Sequence, residues 1–303
     1  MSDPTPASEQ LVPAAIPAPT RGPGEPAWRT VLVVMVTLVA SAVASMAALF
    51  VAVRSSSDAT TGADFSERMD AWMAHHLTTV PGMLVLLLPG QLTMFAMVAF
   101  FSGADEQGLL RRLGFVRPRA SPKAIVLSVV GTLGVQWLVS VAFDWTGVEP
   151  NEQMKHIWRM VATPTGVSAA CVALLISGTP ALCEEAVFRG FAQRRLLQRW
   201  SPALAIAVAS VLFALAHMNV QQSPAVLPIG LWLGFVAWRT GSVWVSALCH
   251  FANNMSAFVF GRMWGDPDSG ALPSSAPFLV AGVVLLACTW LAARTLNREA
   301  APA

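Results

Sequence analysis

Eight long apolar stretches limit what this chain can fold into. Val31–Val53 runs for 23 residues without a charge, and about 20 apolar residues are enough to cross a bilayer as a helix. Met83–Phe101 follows, interrupted at Pro89, then Ala124–Phe143, Gly166–Arg189, Pro202–His217, Ala225–Trp238, Ser242–Phe260 and Ala276–Ala293. Ala225–Trp238 is short and must borrow flanking residues to span. Only 12% of the 303 residues are charged and 55% are hydrophobic, against about 25% charged in a soluble globular chain. The pattern predicts an all-α polytopic membrane protein of about eight transmembrane helices, with no soluble domain between them.

The segments outside these runs say less. Met1–Ala27 holds seven of the 21 prolines and cannot bury enough apolar surface to fold, so it reads as a disordered tail. The first apolar run is too long for the core of a signal peptide and reads as a retained span. Residues 28–112 then hold the first two spans, 113–260 the central ones, and 261–303 the last span with a short tail. The net charge of +2 gives no reason to expect a nucleic-acid partner. Cys171, Cys183, Cys249 and Cys288 lie in or beside apolar runs, where free cysteine behaves as a small apolar residue.

Lys and Arg fix an expected orientation. If the gaps alternate sides, fourteen of the nineteen fall on the side of the two termini and five on the other. The positive-inside rule then makes both termini cytoplasmic, which requires an even number of spans. In a bacterial cell this is an inner-membrane protein in contact with lipid. Before the fourth span, Met154, Ile157, Trp158 and Val161 recur at helical spacing, which fits either a short interfacial helix or a loop. Gly230 and Gly234 form a GxxxG pair that lets another helix approach closely.

Three spans carry groups that lipid excludes. The fourth ends in Cys183-Glu184-Glu185-Ala186-Val187-Phe188-Arg189-Gly190, the fifth in Phe213-Ala214-Leu215-Ala216-His217, and the seventh holds His250-Phe251-Ala252-Asn253-Asn254. A charge near the bilayer centre costs on the order of 2.5–3.5 kcal/mol even on lenient scales, so such residues are functional-site hypotheses by default. Glu185 and Arg189 stand four apart on one helical face and can pair. Glu184 is rotated by roughly 100° from Glu185 and is left for chemistry. At 1.5 Å per residue, Glu184, His217 and His250 lie about 16, 22 and 13 Å from the cytoplasmic ends of their spans, so the three can meet near mid-membrane.

Two histidines, a carboxylate and an Asn amide suit hydrolysis of an amide by activated water. The HExxH signature of one zinc protease class is absent. At these residues the sequence resembles the CAAX-protease and bacteriocin-processing family (CPBP, or Abi). Its motifs EExxxR, FxxxH and HxxxN match Glu184-Glu185-xxx-Arg189, Phe213-xxx-His217 and His250-xxx-Asn254 in order and on separate helices. The likeness extends over about Leu113–Phe260, with Leu113-Gly114-Phe115 similar to the family's entry to its core.

The resemblance implies an intramembrane endopeptidase acting on a membrane-associated or secreted peptide or protein. It would use Glu184 and His217 to activate water and His250 with Asn254 to stabilise the oxyanion, supported by Glu185, Arg189 and Phe213. Glu184, His217 and His250 could also supply three ligands to a divalent metal such as zinc; water alone and metal both remain open. The alternatives are a non-catalytic scaffold or bacteriocin-immunity factor of the same fold, and a transporter with a midplane proton-relay Glu. No inverted repeat supports the last.

Overall fold

The computed structural model describes residues 26–57, 63–103, 108–264 and 279–299. The proline-rich tail before Pro26 and the start of the last apolar run therefore lie outside the described residues. The chain is an all-α polytopic membrane protein, with no strand among the described residues. Its helices are α1 (Ala27–Ser55), α2 (Phe65–His76), α3 (Val80–Phe101), α4 (Leu109–Arg112), α5 (Pro122–Thr146), α6 (Glu152–Ala162) and α7 (Gly166–Glu185). A π-helical segment, Ala186–Gln193, continues α7, followed by α8 (Arg194–Leu196), α9 (Pro202–Leu215), α10 (Gln222–Thr240), α11 (Val243–Trp264) and α12 (Leu279–Glu299).

Each of the eight apolar runs lies largely within a helix. Six of these helices, α1, α3, α5, α7 with its continuation, α11 and α12, are long and apolar enough to cross a membrane. The other two are α9 and α10. With 14 residues, α9 rises only about 21 Å, less than a hydrocarbon core of about 30 Å. The stretch before the fourth span is the helix α6.

Local chemistry sets several boundaries. Ser121 and Ser201 cap α5 and α9 by accepting from the N–H groups of Ala124 and Leu204, and Pro122 and Pro202 follow where a missing N–H costs nothing. Gly241 closes α10 at φ 66°, a left-handed position suited to glycine.

The helices form a central group with flanking pairs. In the centre, α11 packs on α7 and α10 on α9, with the π-helical segment among them; α1 packs along α3 on one flank and α5 along α12 on the other. Val187, Phe188 and Phe191 of the π-helical segment sit in a core with Val34 of α1, Met94 and Val98 of α3, Phe213 of α9 and Val243 of α11. Leu113 and Phe115 join that core. The Gly114 carbonyl accepts from Val243 N–H at the start of α11 (2.8 Å). A Cβ at Gly190 would lie 2.6 Å from the Leu113 carbonyl, so this glycine is what lets the Leu113–Phe115 turn close on the π-helical segment.

Candidate active site

The two glutamates part company as their helical spacing predicts. Glu185 is fully buried, and its Oε1 takes a hydrogen bond from Arg189 Nη1 at 2.7 Å. Arg189, equally buried, donates through Nη2 to the Gly230 carbonyl of α10 (2.8 Å). Its guanidinium lies 4.5 Å above the Phe213 ring of α9. His250 of α11 donates Nδ1–H to the same Glu185 oxygen at 3.1 Å. One ion pair thus ties together four helical elements. A buried charge left without its partner costs several kcal/mol, which ties their mutual placement to this pair.

The GxxxG pair belongs to the same construction. Gln193 donates to the Gly234 carbonyl at 2.9 Å, so Arg189 and Gln193, four apart, address two α10 carbonyls that are also four apart. The glycines let the helices come that close. A Cβ at Gly230 would lie 3.0 Å from Phe213, and one at Gly234 would lie 2.7 Å from Gln193 Oε1. The sequence reading continues an α-helix through Arg189, whereas the structure widens it to a π-helix from Ala186. Such segments recur at functional sites.

Glu184 is only partly covered, with 14% of its side chain exposed. Its Oε2 lies 3.9 Å from His250 Nε2, and its Oε1 accepts from Gln91 Nε2 of α3 at 3.1 Å. Gln91 is absent from the sequence-derived site. Its signal was a lone amide two residues after Pro89 in an otherwise apolar span, the kind of intramembrane polar group that finds a partner across helices. The carboxylate expected to be free is therefore held from one side and faces an imidazole on the other.

Phe213 is the hub for both histidines. The rings of His217 and His250 meet it edge-on at centroid separations of 5.2 and 5.6 Å. His217, just past the end of α9, has Nδ1 3.0 Å from the Phe213 carbonyl. A carbonyl only accepts, so Nδ1 carries the proton and Nε2 is left to act. His250 is likewise anchored through Nδ1 to Glu185. The short connection after His217 is held by Asn219, whose Oδ1 accepts from the Gln221 and Gln222 N–H groups (2.8 and 3.0 Å). Among the described residues no hydrogen bond or ion pair joins His217 to Glu184.

Asn254, one turn beyond His250 on α11, is engaged with α7 and with its neighbour. Its Nδ2 donates to the Ile176 carbonyl of α7 at 3.4 Å, and its Oδ1 accepts from Asn253 (3.1 Å). The Ile176 carbonyl is available because Pro180, four residues on, has no N–H to give it.

Anchoring each histidine through Nδ1 to an oxygen is how metal-binding imidazoles are commonly oriented, and the donor types suit zinc. Among the described residues, however, no three His, Cys, Asp or Glu side chains come together closely enough to hold an ion. The pair that does form is Glu184 with His250. All four cysteines are free thiols.

Residues 166–256 match the family model described as Type II CAAX prenyl endopeptidase Rce1-like. The match spans all three motifs and agrees with the family resemblance read from them; α1, α3, α5 and α12 lie outside it. No curated protein and no solved structure gives a significant match to the chain.

Proposed function

We propose that the chain, with an Rce1-like match running from α7 into α11, is an intramembrane endopeptidase. The observation that carries the reading is the unequal treatment of two neighbouring carboxylates. Glu185 is spent on Arg189 and His250, while Glu184 is partly open, braced by Gln91 and faced by His250 Nε2. A carboxylate so placed can take a proton from water, and such general-base help contributes typically about 10²–10⁴-fold.

In the proposed reaction water attacks the peptide carbonyl while Glu184 accepts its proton. His217, through Nε2, orients the water. His250 in its protonated form donates Nε2–H to the oxyanion, as preformed donors do in acyl transfer. Glu184 then passes its proton to the departing amine as the C–N bond breaks, leaving a carboxylate and an amine. Glu185, Arg189 and Phe213 hold the histidines. Asn254, bonded to Ile176, acts by keeping α11 against α7. The substrate is a membrane-associated or secreted peptide or protein. The matched family's description makes a prenylated C-terminal peptide the first one to offer. The termini and the Arg-rich helix ends lie on the cytoplasmic side of the cell membrane, by the charge bias.

Glu184, His217 and His250 do not form a three-ligand set among the described residues, so the proposed reaction runs on water alone, and a chelator in the test below checks for a divalent metal on these side chains. Purified full-length protein is offered farnesylated and unmodified C-terminal peptides, as wild type and as Glu184→Gln, with and without a chelator. Glu184→Gln is expected to fold normally and to lose cleavage by at least about 100-fold. Loss on chelation, restored by zinc, would assign that metal. Cleavage by Glu184→Gln at the wild-type rate sinks the assignment of the base. The second reading, a non-catalytic scaffold, draws on the missing contact between His217 and Glu184; a cell phenotype that survives Glu184→Gln would favour it.

A further inference from the structure

A second site lies away from these residues, where the ends of α10 and α12 meet the start of α5. A cavity of about 350 Å³ opens there among Arg119, Ala120, Trp238, Arg239, Leu296 and Glu299. It adjoins a wider hollow that adds Arg117 and the apolar Ile125. Arg239 stands nine residues beyond Gly230 on α10, about 14 Å along the axis from the carbonyl that Arg189 contacts.

The lining is amphipathic in a particular way. Arg239 lies over the Trp238 ring with its guanidinium 4.7 Å from the centroid, and donates Nη2–H to the Asn297 carbonyl at 2.9 Å. Its Nε–H is buried and has no partner among the described residues, and a buried donor is rarely left unsatisfied. Arg119 is fixed through its backbone, its N–H donating to the Thr240 carbonyl at 2.9 Å. Among the described lining residues the one acidic group is Glu299, whose two oxygens accept from Ser121 N–H (3.0 Å) and Oγ–H (2.6 Å) at the start of α5. Arg117, Arg119 and Arg239 thus outnumber that carboxylate, and the partly exposed Trp238 and Ile125 supply apolar surface.

We propose that this cavity binds the phosphate of an anionic glycerophospholipid headgroup. Guanidinium groups suit phosphate oxygens, since their planar fork matches the oxyanion in two-point contact. The setting favours a lipid source. Three helix ends place the cavity at the boundary between apolar and polar surroundings, where Trp residues collect, and basic pockets between transmembrane helices take up such headgroups. The glycerol and first acyl carbons would lie on Trp238 and Ile125.

The test measures binding of fluorescent phosphatidylglycerol to the full chain in neutral detergent, with phosphatidylcholine and inorganic phosphate as competitors. Phosphatidylglycerol is expected to bind and phosphatidylcholine to compete poorly. Affinity is expected to fall roughly fivefold for each of Arg119→Gln and Arg239→Gln, and to change little for Arg294→Gln, which removes an exposed charge beside Trp290. Ala120→Leu keeps every charge and fills the cavity, so it tests the site if either arginine variant does not fold; it is expected to abolish binding. Equal competition by the two lipids overturns the proposal, as does an unchanged affinity in both Arg239→Gln and Ala120→Leu. Inorganic phosphate that binds the wild type while phosphatidylglycerol does not would overturn the lipid source.

Discussion

The centre of this molecule and its flanks solve helix packing by different means. On the flanks, helices approach through small residues. A Cβ at Gly90 of α3 would lie 2.5 Å from Ser45 Oγ of α1; one at Gly134 of α5 would lie 2.4 Å from Thr289 Oγ1 and 2.6 Å from the Leu285 carbonyl of α12. At the centre, the Glu185–Arg189 pair, Gln193 and His250 reach across helices to carbonyls, a carboxylate and a ring. Of the membrane-crossing stretches, α11 is 39% buried and α1, α3 and α12 are 17% buried, with α5 and α7 between them at 28% each. These flank contacts are uncharged, down to the Thr289 hydroxyl that donates to the Gly131 carbonyl across α5 and α12 (2.8 Å), and can be made against lipid. A charged network survives only where every partner is supplied, so it is confined to the helices that surround it. Chemistry that needs polar groups in the membrane has its protection there.

The contrast is broken most severely at Arg189. Arg189→Leu strands Glu185 in the protein interior, at an expected cost of about 3–5 kcal/mol, a large part of the total stability of an ordinary domain. Fluorescence-detected gel filtration is expected to show little folded protein. Replacing Glu185 and Arg189 together by Leu removes both charges and leaves His250 Nδ1–H as the main orphan, so much of the folded peak returns without activity. If Arg189→Leu alone folds as well as wild type, the centre is not held by this pair.

On a flank, Gly134→Ala forces backbone apart at α12, because the Leu285 carbonyl cannot swing away as a side chain can. The expected cost is about 1–3 kcal/mol, read as a lower unfolding temperature in detergent. The folded fraction keeps the wild-type kcat. A fall in kcat at full folding would mean that the flanks and the centre are not separable.

Gln91 sharpens the comparison, because it belongs to a flanking helix and touches the central carboxylate. Gln91→Met keeps the size and removes the donor to Glu184. About a tenfold drop in kcat with KM unchanged is expected, on peptides cleaved by the wild type, since one hydrogen bond to a charged group is worth roughly 1.5–3 kcal/mol. An unchanged kcat would reduce the α3 contact to incidental packing.

What could be read in the sequence divides along the same line. Apolar runs report helices because the bilayer fixes their length, and the spacing of Glu185 and Arg189 reports their pairing because both lie on one element. The separation of Glu184 from Glu185 followed from helical rotation alone. The widening to a π-helix did not, since it coincides with contacts supplied from elsewhere in the chain, the Leu113 turn and the α10 carbonyls. Gln91 was hidden for the same reason: its partner stands 93 residues away. His217 shows the limit from the other side. Its anchor, Phe213, lies four residues away and is visible, while its distance from Glu184 depends on how α9 meets α7.

Asn254 gives the smallest expected effect and the finest division between holding and reacting. Its amide donates to the Ile176 carbonyl, which lacks a helical donor because position 180 is proline. Asn254→Ala is therefore expected to cost about 1 kcal/mol of stability. Pro180→Ala supplies an N–H at the position four residues after Ile176, so in that background Asn254→Ala is expected to cost almost nothing. Activity separates the roles. If Asn254 only holds α11 against α7, the double variant cleaves at the rate of Pro180→Ala alone. If its amide serves the oxyanion, kcat falls by about 10²–10³ in both backgrounds whatever the stability. Thermal unfolding and cleavage measured on the same four proteins decide whether the third motif's last residue belongs to the helix contact or to the reaction.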